Sequence, residues 1–159
     1  MSKAFFYLEK YGPVVLGVLT LGVCIWYRSE LLKLVQEKTI NLENLYSAIF
    51  DWSSIQTGFL FSVYGYVASK TDGFLAEIKD SRSMSAFRKY TSRAMFIGFI
   101  LTVVTIPLIV VDFDISTNFR FLLVSIWFAL FVWAFAGFLR VAVNFGRIVS
   151  VRDNSAIGG

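Results

Sequence analysis

Four long stretches of this chain contain no Asp, Glu, Lys or Arg: residues 11–27, 52–69, 94–111 and 121–139. At ~1.5 Å rise per residue, helices of these lengths reach roughly 26–29 Å, close to the ~30 Å hydrocarbon core of a bilayer. A water-soluble domain has to cover its apolar core with charge, and about a quarter of its residues normally do so. Here only 16% are charged while 57% are hydrophobic. The chain is therefore expected to be an all-α polytopic membrane protein, one domain over residues 1–159 with four transmembrane helices.

The four segments are not equivalent. Those at 94–111 and 121–139 are almost wholly apolar. In the first, Pro13 is expected near the helix start, where a missing N–H costs little. The second, 52–69, is the most polar, carrying Ser53, Ser54, Gln56, Thr57, Ser62 and Ser69 among Phe59, Leu60, Phe61, Val63, Tyr64, Tyr66 and Val67. Leu21-Gly22-Val23-Cys24 faintly resembles a lipoprotein cleavage box, but Val before the cysteine and Ile25-Trp26-Tyr27 after it fit that pattern poorly, and a membrane helix is the better reading. Lys and Arg in the connections set the orientation. Eleven fall on the side of the two termini and the 70–93 connection, against four on the other. Both termini are expected in the cytoplasm, in a bacterial inner membrane.

The outer connection, 28–51, repeats apolar residues at helical spacing through Leu31, Leu32, Leu34 and Val35. The first helix either continues past the membrane there or folds along its surface. Asn41 is a candidate cap for a new helix with Leu42, Leu45 and Ile49 on one face. The inner connection, 70–93, holds six cations against Asp72, Glu77 and Asp80. Its Arg82, Arg88, Lys89 and Arg93 are candidates for binding anionic lipid, where each cation contributes about 1 kcal/mol, or an acidic cytoplasmic protein partner. Nucleic acid is not an expected ligand, because the basic pI of 9.3 follows from topological charge without a stacking platform. Residues 151–159 read as a flexible tail.

Small residues recur at helical steps in three of the segments. In the second they are Ser54, Gly58, Ser62, Gly65 and Ser69, at steps of 4, 4, 3 and 4, which places all five on one stripe. The third has Ala94, Gly98, Thr102 and Thr105, and the first Pro13, Gly17, Thr20 and Cys24. In lipid, helices gain little from the hydrophobic effect when they pair, so close approach through small residues is a main route to tight packing. These stripes are expected to be helix contacts within or between subunits of a homo-oligomer. The alternative is a pore in which Ser54, Gly58, Ser62, Gly65 and Ser69, with Gln56 and Thr57 toward the outer end, line a water path.

Several chemistries are excluded or weakened by what is missing. There is no histidine and Cys24 is the lone cysteine, which removes Cys–His and Ser–His catalysis, an intrachain disulfide and the usual metal sites. No cofactor is expected. No Asp, Glu, Lys, Arg or His lies inside the four segments, such as a proton-coupled transporter would require; small multidrug exporters of similar size depend on a membrane glutamate that this chain lacks. Asp112 and Asp114 read as a solvated turn rather than a cation site. The four-span plan, the polar run Ser54-Ile55-Gln56-Thr57-Gly58-Phe59-Leu60-Phe61 and the basic segment ending Phe87-Arg88-Lys89-Tyr90 resemble the small membrane subunits of bacterial anti-phage systems such as Kiwa and Hailong. That resemblance implies an oligomer that senses or responds to infection with a cytoplasmic partner, and it transfers no functional residue; the reading of the residues themselves is of a non-enzymatic subunit.

Overall fold

The computed structural model describes residues 3–69, 82–111 and 115–156, with side chains described for 11–69, 84–111 and 115–146. Among the described residues the chain is all-α, in five helices: α1 (Lys3–Trp26), α2 (Arg28–Gln36), α3 (Leu42–Ser69), α4 (Arg82–Val110) and α5 (Asn118–Ala156).

Helix ends follow local chemistry. Asn41 caps α3 as its type suggests, its Oδ1 accepting from the Asn44 N–H at 3.0 Å. The chain bends by 73° at Tyr27, between α1 and α2, so the first helix folds across rather than continuing. After α2 the chain reverses through Lys38 at φ 57°. The Lys38 N–H donates to Val35 O and the Thr39 N–H to Leu34 O, which closes the last helical carbonyls as a Schellman turn.

Three boundaries differ from the sequence reading. Pro13 lies in the interior of α1, which begins at Lys3, and not near a helix start. Residues 82–93, expected as a short helix within the connection that leads into the third span, are the first three turns of α4 itself, while 70–81 lie outside the described residues. Helix α5 runs to Ala156, so most of the segment expected to be a tail is helical; at ~1.5 Å per residue α5 is roughly 58 Å long, well beyond a bilayer core.

Successive long helices run antiparallel. Helix α4 packs along both α3 and α5, while α1 packs on α5 away from α3. Two clusters form the interior. One joins Tyr46, Ile49, Leu101, Trp127 and Ala134; the other, toward the basic end, joins Leu60, Val63, Val67, Met84, Phe87, Ala94 and Val141. An aromatic row ties α3 to α5: the Trp52 ring meets Phe131, Phe135 and Phe138 at centroid distances of 4.9–5.7 Å, and Phe59 meets Phe138 edge-on.

Among the described residues two helices, Met84–Val110 and Asn118–Gly146, are long and apolar enough to cross a membrane, and the bent pair α1–α2 makes a third if it is one span. Helix α3 is long enough but not apolar enough. Its hydropathy is lowered by polar groups on two different faces.

Candidate functional site

Two faces of α3 carry its polar groups, and they do different things. The inward face reads Tyr46, Ile49, Ser53, Gln56, Leu60, Val63 and Val67, all buried. Ser53 and Thr102 share a hydrogen bond of 2.9 Å across to α4, and Thr102 donates to Gly98 O. The Gln56 amide reaches α5, its Nε2 donating to Ala134 O at 3.2 Å. Higher up, Trp127 Nε1 donates to Thr105 Oγ1 at 2.8 Å, and that hydroxyl donates to Leu101 O. A polar seam thus runs through the middle of the bundle, where water is scarce and bonds between helices carry register.

The seam is not fully satisfied. Gln56 Oε1, Thr57 Oγ1 and Tyr46 Oη are buried without a hydrogen-bond partner among the described residues. Gly98 explains the Thr57 geometry: a Cβ at that position would sit 2.7 Å from Thr57 Oγ1 and 3.4 Å from Gln56 Nε2. Only a glycine lets α3 and α4 approach this closely here. The small stripe of the third segment, with Ala94, Gly98, Thr102 and Thr105 all buried or half-buried, is therefore an intrachain contact. That of the first segment is too, since a Cβ at Gly17 would meet Ala129 O of α5 at 3.0 Å.

The stripe of the second segment lies on the opposite, outward face. Gly58, Ser62, Gly65 and Ser69 are exposed and Ser54 half-buried, and a Cβ on Gly58 or Gly65 would meet nothing within 4 Å among the described residues. The hydroxyls on this face are turned onto their own helix: Ser54 donates to Phe50 O, Ser62 to Gly58 O and Ser69 to Tyr66 O. Gln56 does not share the face, being directed into the bundle, and Thr57 lies between the two. The sequence does not separate Ser53 from Ser54 by type; what separates them is that Ser53 falls in register with Tyr46, Ile49, Gln56 and Leu60.

The basic candidates gather at the end of the bundle where α3 ends and α4 begins. Lys89 and Arg93 are exposed, on the side of α4 away from the buried Met84, Phe87, Thr91 and Ala94, and Arg88, one turn on from Met84, is half-buried at the edge of that face; the Arg82 side chain, like Asp112 and Asp114, lies outside the described residues. Arg140 of α5 comes to the same end, its guanidinium stacked 3.4 Å above the Tyr90 ring. At the other end Arg28 sits 5.5 Å over Phe121.

Fold and site together define a helical protein suited to a membrane, with a polar seam inside and, among the described residues, an uncovered small-residue face on α3. Compared with known proteins, the chain matches no family model, no curated protein and no solved structure, so function is argued from its own residues.

Proposed function

We propose that this protein is a non-enzymatic, homo-oligomeric subunit of a bacterial inner membrane, crossing it four times with both termini in the cytoplasm, whose copies meet through the outer face of α3. The carrying observation is that face itself: Gly58, Ser62, Gly65 and Ser69, with the half-buried Ser54, form a small-residue stripe on a long helix that no side chain covers among the described residues. Four crossings are supported by packing, because α3 lies lengthwise against α4, one of the helices apolar enough to span. Orientation is supported by the eleven-to-four split of Lys and Arg.

Helix packing is favoured over a pore lined by the same face. Each serine hydroxyl on this face has its single O–H donor engaged by its own backbone, which leaves only acceptor lone pairs for water. Such back-bonded hydroxyls are compatible with close van der Waals contact in lipid, where small residues let helix backbones approach. The test is oligomer size by native mass spectrometry in mild detergent. Wild type is expected as a defined multimer and Gly58→Leu or Gly65→Leu as a monomer of unchanged unfolding midpoint; a monomeric wild type, or multimers indifferent to both substitutions, refutes the reading. Conductance of the wild type in planar bilayers, lost in Gly58→Leu, would instead establish the pore.

The exposed cations at the inner end, with Arg82, address a cytoplasmic protein partner in this reading, and the resemblance to anti-phage membrane subunits supplies its setting. Charge reversal at Arg82, Arg88 and Lys89 is expected to abolish co-purification of the neighbouring gene's product. Efficiency of phage plating with and without the chain measures the setting directly.

A further inference from the structure

Helix register sets which residues of α3 share a level with the apolar stretches of its neighbours. Ser53 hydrogen-bonds Thr102 of α4, and one turn further on Thr57 lies against Gly98. Toward α5, Trp52 meets Phe131 and Phe59 meets Phe138. On these pairings Asp51 is level with Val104 of α4 and Leu130 of α5. Val104 lies seven residues inside Val111 and Leu130 nine inside Phe121. Asp51 therefore sits roughly 10–14 Å below the outer ends of the charge-free stretches 94–111 and 121–139.

Two placements of the bundle in a bilayer then compete. With 52–69 in the hydrocarbon, residues 86–103 of α4 and 131–148 of α5 enter beside it, carrying Arg88, Lys89, Arg93, Arg140 and Arg147. With 94–111 and 121–139 there instead, α3 contributes about 44–61, and Asp51 is the one charged residue of the three helices to enter. Every charge in hydrocarbon is costly, so five cations against one carboxylate decides for the second placement. We infer that Asp51 is a cation-binding group inside the bilayer, taking up a proton or a small metal cation.

Three observations carry the assignment. The first is need: a bare carboxylate in an apolar medium is so unfavourable that it takes up a counter-charge. Among the described residues Asp51 is exposed and has no ion-pair or hydrogen-bond partner. The second is the lack of any cation at its level, since 94–111 and 121–139 hold no ionisable side chain. On α3 itself the nearest ionisable groups are Tyr46, on the inward face, and Glu43, two turns outward. The counter-charge must come from outside the chain. The third is the neighbouring oxygens. Ser47, four residues before, and Ser54, three after, share the face of Asp51. Ser54 spends its O–H on Phe50 O, which leaves its oxygen an acceptor, as a cation ligand has to be.

A carboxyl at this depth is what ion-coupled transport requires, and it escapes the charge-free segments by a single residue, standing directly before the second of them. The site lies on the face of α3 where copies are proposed to meet, but it needs only the placement in the bilayer, so a monomeric protein would leave it standing.

The experiment treats the full chain in liposomes with dicyclohexylcarbodiimide, which partitions into lipid. A carboxylic acid adds across one C=N bond of this reagent with no leaving group, so the intact mass rises by one whole reagent. The buffer holds choline as its only cation besides protons. One adduct is expected, mapped to Asp51 by peptide mass, lost in Asp51→Asn and kept in Glu43→Gln. A water-soluble carbodiimide is expected to leave Asp51 unmodified. Added sodium identifies the cation: protection of Asp51 assigns a metal ion, and unchanged labelling assigns the proton. Absence of an Asp51 adduct, or equal modification by the water-soluble reagent, overturns the site. Peptide mapping reads the wild type directly, so the result does not depend on either variant folding.

Discussion

Replacing Gly98 by alanine tests the closest approach in the bundle. The new Cβ would stand 2.7 Å from Thr57 Oγ1, and ordinary contact begins at 3.4 Å, so 3.4 less 2.7 leaves 0.7 Å to be found. Thr57 is β-branched and stiff at χ1, and the neighbouring Gln56 amide is held to Ala134 O at 3.2 Å. The helices must therefore part or the threonine must leave its rotamer. Overpacking of this kind costs about 1–3 kcal/mol, offset by about 1 kcal/mol from the better helix propensity of alanine. The net expectation is a loss of about 1 kcal/mol, measured by denaturant titration in mixed micelles followed by circular dichroism. Gly22→Ala, where a Cβ meets nothing within 4 Å among the described residues, isolates the propensity term and should stabilise. Thr57→Ala removes the offending oxygen, so Gly98→Ala made in that background should be neutral or stabilising, with a coupling of about 1–2 kcal/mol. A Gly98→Ala variant as stable as Gly22→Ala, with coupling near zero, would show that α3 and α4 do not meet here and would remove the basis for the polar seam.

Other substitutions probe different parts of the fold. Gln56→Met gives up one interhelical bond, worth about 0.6 kcal/mol in membrane bundles, and also removes an unpartnered buried carbonyl oxygen that costs about 1–3 kcal/mol; the same titration should show it neutral or stabilised, and a loss above about 2 kcal/mol refutes the unsatisfied oxygen. Trp127→Phe deletes the donor to Thr105 Oγ1 and should show coupling of about 0.6 kcal/mol with Thr105→Val, with additive losses as the contrary result. Lys38→Gly relieves a side chain held at φ 57° and should stabilise by about 1 kcal/mol; no gain in unfolding midpoint would mean the α2 turn is frayed. Gly17→Leu forces α1 off Ala129 and Trp133, so the lone thiol, Cys24, should react faster with a membrane-permeant maleimide, and an unchanged rate would place α1 elsewhere.

The charge-free segments made the helices legible because a charge in hydrocarbon is expensive, and its absence over 17–19 residues leaves few other solutions. The direction in which α3 faces was not legible. In water an amphipathic helix announces its inward side by apolar residues, but a helix in lipid is apolar toward lipid and core alike, and here both faces also hold serine. The inward face of α3 is marked by pairing: Ser53 with Thr102 of α4 and Gln56 with Ala134 O of α5. Those bonds depend on which α4 and α5 residues fall opposite, information that lies in no local spacing. The outward face has no such cross-helix bond among the described residues: Ser54, Ser62 and Ser69 bond only within α3, whereas Ser53 bonds both Phe50 O and Thr102. A hydroxyl bonded within its own helix does not by itself mark an open face, since the buried Thr91 and Ser125 are bonded so; on α3 it is exposure together with the lack of a cross-helix bond that divides the two faces. On that criterion the seam through Ser53 and Gln56 is internal architecture, and the face of Gly58 and Ser62 is the surface on which an assembly would be built.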